Sequence, residues 1–144
     1  MLTVVGTATS RAFRVLWMLE ELGLAYEHQA EMPQSERVRA LSPLGKVPVL
    51  IEDGVALRDS TAILTWLADR AGRLTFPAGS IERARQDAAT FFVLDEMDAT
   101  LWAAAKHSFV FPEERRVPAV KAALRWEWEV AVGRLEGILG EGRS

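Results

Sequence analysis

The hydrophobic period changes once along this chain, and that change limits the folds open to it. Up to about residue 72, short apolar runs alternate with helical stretches; beyond the breaker-rich segment Phe76-Pro77-Ala78-Gly79-Ser80, apolar residues recur only at helical spacing. The pattern predicts an α/β region over residues 1–76 followed by an all-α region over 77–144. With 144 residues there is room for a small domain and a helical appendage, and two large independent domains are excluded.

Within the first region, Leu2 to Val5 reads as a strand, and Thr7-Ala8-Thr9-Ser10 leads into a helix whose apolar face is Val15, Leu16, Leu19 and Leu22, with Arg14, Glu20 and Glu21 outward. Gly23 suits the helix stop and Tyr26 to Glu31 a second strand. A polar stretch after Pro33 predicts a short or irregular helix ending at Ser42-Pro43-Leu44-Gly45. Apolar runs on either side of Asp53-Gly54 predict a β-hairpin, and Asp59-Ser60 opens a helix carrying Ile63, Leu64 and Leu67. The order βαβ-α-ββα describes a small sheet with helices on both faces. Two long helices follow: one from Ser80 to about His107, and one started by Pro118 with a stripe of Val120, Leu124, Trp128, Ala131, Leu135 and Ile138.

Composition removes several chemistries. There is no cysteine, so disulfides, thiolate metal sites and a protein thiol nucleophile are ruled out, and any sulfur chemistry must use a sulfur brought by the substrate. Two histidines far apart in sequence, His28 and His107, support neither a zinc site nor a Ser-His-acid triad. The 17 basic residues are scattered among 20 acidic ones, which argues against nucleic acid as a partner. No basic n-region precedes an apolar run at the N-terminus, and no apolar stretch reaches the roughly 18 residues of a membrane span, so a cytoplasmic location is expected.

Four segments, in order, resemble the glutathione transferase family: Leu2 to Gly6, Arg14-Val15-Leu16-Trp17-Met18-Leu19-Glu20-Glu21-Leu22-Gly23-Leu24, Ser42-Pro43-Leu44-Gly45-Lys46-Val47-Pro48-Val49-Leu50, and Asp59-Ser60-Thr61-Ala62-Ile63. The resemblance covers the first 72 residues and implies a thioredoxin-like domain with a cis peptide bond before Pro48, leaving the Val47 backbone to pair with the cysteinyl part of glutathione as a short added strand. Taken alone, Pro48 would simply start an edge strand in trans. Ser60 and the amides after it would hold the γ-glutamyl carboxylate, Asp59 the α-amino group, and Lys46 the glycyl end. The same Asp59-Ser60 pair is also a plain helix cap.

The resemblance places the thiol-activating group in the loop after the first strand. Tyr-type members carry a tyrosine near the end of that strand, where this chain has Val5-Gly6, and cysteine-type members need a thiol it lacks. A hydroxyl remains: alignment through Val15 favours Thr9, whereas the family preference for serine favours Ser10, which is taken first. Lowering a thiol pKa of about 8.5 by two units requires roughly 2.7 kcal/mol. One hydrogen bond to a charged group supplies about 1.5–3 kcal/mol and a helix N-terminus about 0.3–1 kcal/mol.

The resemblance implies several more helices after this point, and with two long helices in the sequence a shortened helical domain is expected. The resemblance implies a homodimer, a detoxifying transferase acting on a small hydrophobic electrophile, and glutathione as cosubstrate with no bound cofactor or metal. Trp102, Phe109 and Phe111 are candidates to line the electrophile's pocket. Two other readings stay open: a glutathione-dependent isomerase of the maleylacetoacetate-isomerase type, and a non-catalytic protein-interaction module on the same fold.

Overall fold

The structure, a computed structural model, describes residues 1–141. It divides into two compact units, the first spanning Met1–Ala78 and the second beginning at Gly79, within the breaker-rich segment. The first unit runs β1 (Leu2–Val5), α1 (Ala12–Leu22), β2 (Tyr26–Gln29), α2 (Glu36–Leu41), β3 (Val49–Glu52), β4 (Val55–Arg58) and α3 (Ser60–Ala71). The sheet order is β2-β1-β3-β4, with β1 parallel to β2 and antiparallel pairing at β1–β3 and β3–β4. This is the predicted βαβ-α-ββα order. Its hairpin turn has Asp53 at φ 50° and Gly54 at φ 81°, the two positive values that a two-residue turn between right-twisted strands requires.

Alternation along the strands sorts the core onto two faces. Leu2, Val4 and Leu50 pack with Ala12, Val15, Leu19 and Leu22 of α1 and Ile63 and Leu67 of α3. Val5 and Val49 point the other way and meet Val38 of α2, with Leu41, Val47 and Ile51 against them. Because successive strand residues face opposite sides, one β1 run of four residues serves both layers. Trimming one methyl from the first layer by Ile63→Val is expected to cost about 1 kcal/mol, measured as a lowered urea midpoint with unchanged slope.

Two details of this unit differ from the sequence-based expectation and one agrees with it. The second strand stops at Gln29, two residues early, where the Gly6 amide bonds the Gln29 carbonyl and the chain turns away. The expected short helix forms and is regular: Ser35 caps it by accepting from the Val38 amide at 3.2 Å. Arg14 does not face outward, as described below.

The second unit comprises α4 (Ile81–Phe92), a π-helical segment Val93–Asp98, α5 (Ala99–Ala105), a π-helical segment Lys106–Val110, a 3-10 turn Glu113–Arg115 and α6 (Val120–Glu141). The expected first long helix is therefore one helical run broken by two π segments. In this run Thr90, Thr100 and Ser108 each donate a hydroxyl hydrogen bond to the carbonyl four residues earlier, drawing those acceptors away from the regular ladder. Along α6 the predicted stripe is the inward face: Ala131 is buried, and Val120, Leu124, Trp128, Leu135 and Ile138 are half-buried. Phe91, Leu101, Phe109 and Trp126 stay exposed in this unit. Among the described residues no helix is long and apolar enough to cross a membrane.

Candidate functional site

Strand register gathers the candidate residues at one end of the sheet. Val5, the last residue of β1, lies opposite Val49, the first of β3, which lies opposite Arg58, the last of β4. The loop after β1, the segment before β3 and the start of α3 therefore emerge on the same edge. These carry Thr7 to Ser10, Lys46 to Pro48, and Asp59 with Ser60. A cavity of about 290 Å³ lined by Glu52, Asp53, Val55, Leu57 and Trp66 lies instead at the hairpin-turn end. It contains none of the candidates.

The Val47–Pro48 peptide bond is cis. Val47 precedes the β1–β3 ladder, which begins at Val49, while its half-buried side chain packs on the second core layer. The segment leading to it is held by Gln34, whose amide bonds the Gly45 carbonyl at 2.8 Å and whose side-chain nitrogen bonds the Leu44 carbonyl at 3.0 Å. Lys46, next in line, is exposed.

At the start of α3, Asp59 takes φ 71°, ψ 119°, outside the left-handed well that non-glycine residues occasionally visit. Its Oδ1 accepts from the amides of both Thr61 and Ala62 at 3.0 Å, which holds the residue there. The amides after Ser60, expected to be open to a carboxylate, are thus already taken by Asp59. The Ser60 amide and hydroxyl are the groups at this helix start that Asp59 does not use. Ser60 is 5% exposed, and its Oγ accepts from Arg14 Nη1 at 3.4 Å. Arg14 is a neighbour of Ser60 that helical periodicity hid, because it occupies a polar position of an amphipathic helix and only the packing of α1 against α3 brings it to Ser60.

The hydroxyl loop is self-bonded. Ser10 Oγ donates to the Thr7 carbonyl at 2.7 Å and accepts from the Ala12 amide at 3.1 Å, so its proton and one lone pair are engaged in starting α1. Thr9 is exposed, and its hydroxyl donates to Thr7 Oγ1 at 3.3 Å. Thr7, not singled out from sequence, follows β1 directly, with its amide bonded to the Glu31 carbonyl at 3.1 Å. As acceptor from Thr9, its hydroxyl keeps its own proton to donate. The signal for it was present, since three hydroxyls share this loop, but spacing cannot say which one the turn consumes.

The remaining candidates belong to the second unit. Phe111 is half-buried, edge-on to His107 at 5.2 Å with Lys106 Nζ 5.8 Å from its ring centre. Trp102 is half-buried on α5 and Phe109 is 70% exposed. Both histidines make structural bonds: His28 Nε2 lies 2.8 Å from the Gly6 carbonyl, and His107 Nδ1 accepts from the Val117 amide at 3.1 Å.

The chain is similar to known proteins in sequence and in fold. A family profile described as the glutathione S-transferase N-terminal domain matches residues 5–75. Glutathione S-transferase 3 of Schizosaccharomyces pombe is 42% identical over 67 residues, a match that spans 44% of this chain and only 28% of that protein. The crystal structure of a glutathione S-transferase from Pseudomonas fluorescens is 31% identical with TM-score 0.78, covering 96% of this chain and 72% of its own. A theta-class glutathione S-transferase from Xanthomonas axonopodis pv. citri, solved with glutathione bound, is 26% identical with TM-score 0.78 over 96% of this chain and 70% of its own.

Proposed function

The chain belongs to the glutathione S-transferase family, and from that premise we propose that it binds glutathione at the sheet edge described above and activates its thiol for attack on a small hydrophobic electrophile. The observation that carries this reading is the convergence of Val47-Pro48 and the Asp59-Ser60 helix start at one end of the sheet beside a loop of hydroxyls. In this reading the backbone of Val47 pairs with the cysteinyl unit as an added strand. The Ser60 amide and hydroxyl take the γ-glutamyl carboxylate, the second carboxylate oxygen of Asp59 takes the α-amino group, and Lys46 reaches the glycyl carboxylate.

Thiol activation falls to the loop after β1. Of the two hydroxyls brought forward from sequence, Ser10 has given its proton to the Thr7 carbonyl and shapes the turn. Thr9 donates to Thr7, which leaves the Thr7 hydroxyl as the donor to the sulfur with Thr9 supporting it. A donated hydrogen bond stabilises the thiolate over the thiol by about 1.5–3 kcal/mol, and the positive end of α1 adds to it. The thiolate then attacks the electrophilic carbon, forming the thioether bond and expelling the leaving group. In this reading the working form is a cytoplasmic homodimer.

Calorimetric titration with glutathione tests the reading, and saturable binding is expected. No binding at millimolar glutathione overturns it and favours a protein-interaction role for the fold. In the complex, Thr7→Ala is expected to raise the pKa of the bound thiol by about one unit, followed through thiolate absorbance, while Ser10→Ala chiefly lowers thermal stability. The reverse outcome would move the activating role to Ser10.

A further inference from the structure

We infer that the Gln34 side chain is a positioning residue: it holds Leu44 and Gly45 in place, so that the Val47 backbone is set for an added strand before the ligand arrives. This deepens the glutathione reading and rests on it. The starting observation is a residue type that does not suit its backbone. Gln34 has φ 67°, in the left-handed region, where glycine sits without strain and a residue with a Cβ does not. Its backbone amide reaches the Gly45 carbonyl at 2.8 Å, a bond that glycine at position 34 would make equally well. The turn itself therefore does not need the side chain.

Two contacts give that side chain a task. Its Nε2 donates to the Leu44 carbonyl at 3.0 Å, and its amide group lies against Gly45, where an added Cβ would be 2.6 Å from both Cδ and Nε2 of Gln34. Position 45 thus has room only for glycine while the Gln34 amide is in place. From the other side, the Gly45 amide donates to the Ser42 carbonyl at 2.7 Å, and the buried Ser42 donates its own amide to the Val38 carbonyl of α2 at 2.7 Å. The turn is fixed to α2 at one end and to Gln34 at the other. Only Lys46 and Val47 separate it from Pro48 and Val49, which are buried. With Leu44 and Gly45 released, the Val47 backbone would sample other orientations and the ligand would have to order it on binding; a strand set in advance avoids that cost. Gln34 is exposed and contributes one side-chain hydrogen bond, so its effect is a severalfold change in affinity and not a loss of the fold.

Gln34→Gly separates this role from a merely structural one, because glycine suits the left-handed backbone and keeps the amide bond to Gly45. Its thermal midpoint is expected to be unchanged, since relief of strain offsets the lost hydrogen bond. In isothermal titration its affinities for glutathione and for S-methylglutathione both fall about fivefold, while the pKa of the bound glutathione thiol stays at the wild-type value. Hydrogen exchange at the Gly45 amide becomes faster in the ligand-free variant. Gly45→Ala, whose Cβ displaces the Gln34 amide, weakens both ligands too, and costs less affinity on a Gln34→Gly background than alone, because the amide it would displace is gone. Gln34→Glu, which keeps the length and removes the donor to Leu44, is expected to give a similar loss and covers the case in which Gly45→Ala does not fold. Unchanged affinity for both ligands in Gln34→Gly, a loss confined to glutathione, or a loss matched by a fall in thermal midpoint overturns the assignment to Gln34 and leaves the glutathione reading standing. If the wild type binds neither ligand, both fall.

Discussion

Ser60→Ala is expected to weaken glutathione binding by roughly tenfold to a hundredfold, the loss of one hydrogen bond to a charged carboxylate in a water-poor setting. Ser60 is 5% exposed, so water replaces the missing hydroxyl poorly. The carboxylate lies far along the ligand from sulfur and changes little between ground and transition states. Its contacts therefore contribute uniform binding: KM rises in Ser60→Ala while kcat is retained. Helix stability should hardly respond, because the cap of α3 is the Asp59 carboxylate and not the serine. Isothermal titration and steady-state kinetics on the same preparation check both halves. A fall in kcat with unchanged KM would place Ser60 in thiol activation instead of ligand anchoring.

Gly6→Ala should produce the largest loss of stability, about 3–5 kcal/mol by denaturant titration, from backbone strain of about 1–3 kcal/mol and overpacking of similar size. Gly6 has φ 137°, and an added Cβ would lie 2.9 Å from both the Ala12 Cβ and the Val47 Cβ. Neither neighbour can rotate away, since a Cβ is fixed by its own backbone; something in α1 or in the segment before β3 must shift. Those are the two segments that carry the hydroxyl loop and Val47, so any Gly6→Ala protein that still folds is expected to bind glutathione more weakly. Gly54→Ala serves as the control. It also has positive φ, at 81°, but its Cβ would meet nothing within 4 Å, so it should cost only the left-handed strain of about 1–2 kcal/mol and leave binding intact.

Local signals were enough for the elements whose cause is local. The Asp53-Gly54 hairpin follows from turn chemistry, the inward face of α6 from apolar spacing, and the two-layer core from alternation in β1 and β3. The cis bond before Pro48 was expected only from the family likeness, because an isolated X-Pro sequence is compatible with either isomer. The π segments flanking α5 left no trace in the apolar pattern, since a change of one residue in the hydrogen-bonded ring shifts the helical phase too little to read over five or six residues.

Sequence by itself determined the order of the elements, the exclusion of thiol and metal-thiolate chemistry, and the cluster of hydroxyls after β1, because these depend on residue type and on neighbours a few positions away. Tertiary structure alone decided which groups at the shared edge are spent and which are open. Asp59 consumes the amides of Thr61 and Ala62, Ser10 gives its proton to the Thr7 carbonyl, and Arg14 crosses from α1 to Ser60. The physical reason is that a donor has one proton and an acceptor few lone pairs, so their allocation is settled by packing across 46 residues of chain between Arg14 and Ser60, a separation at which hydrophobic period carries no information.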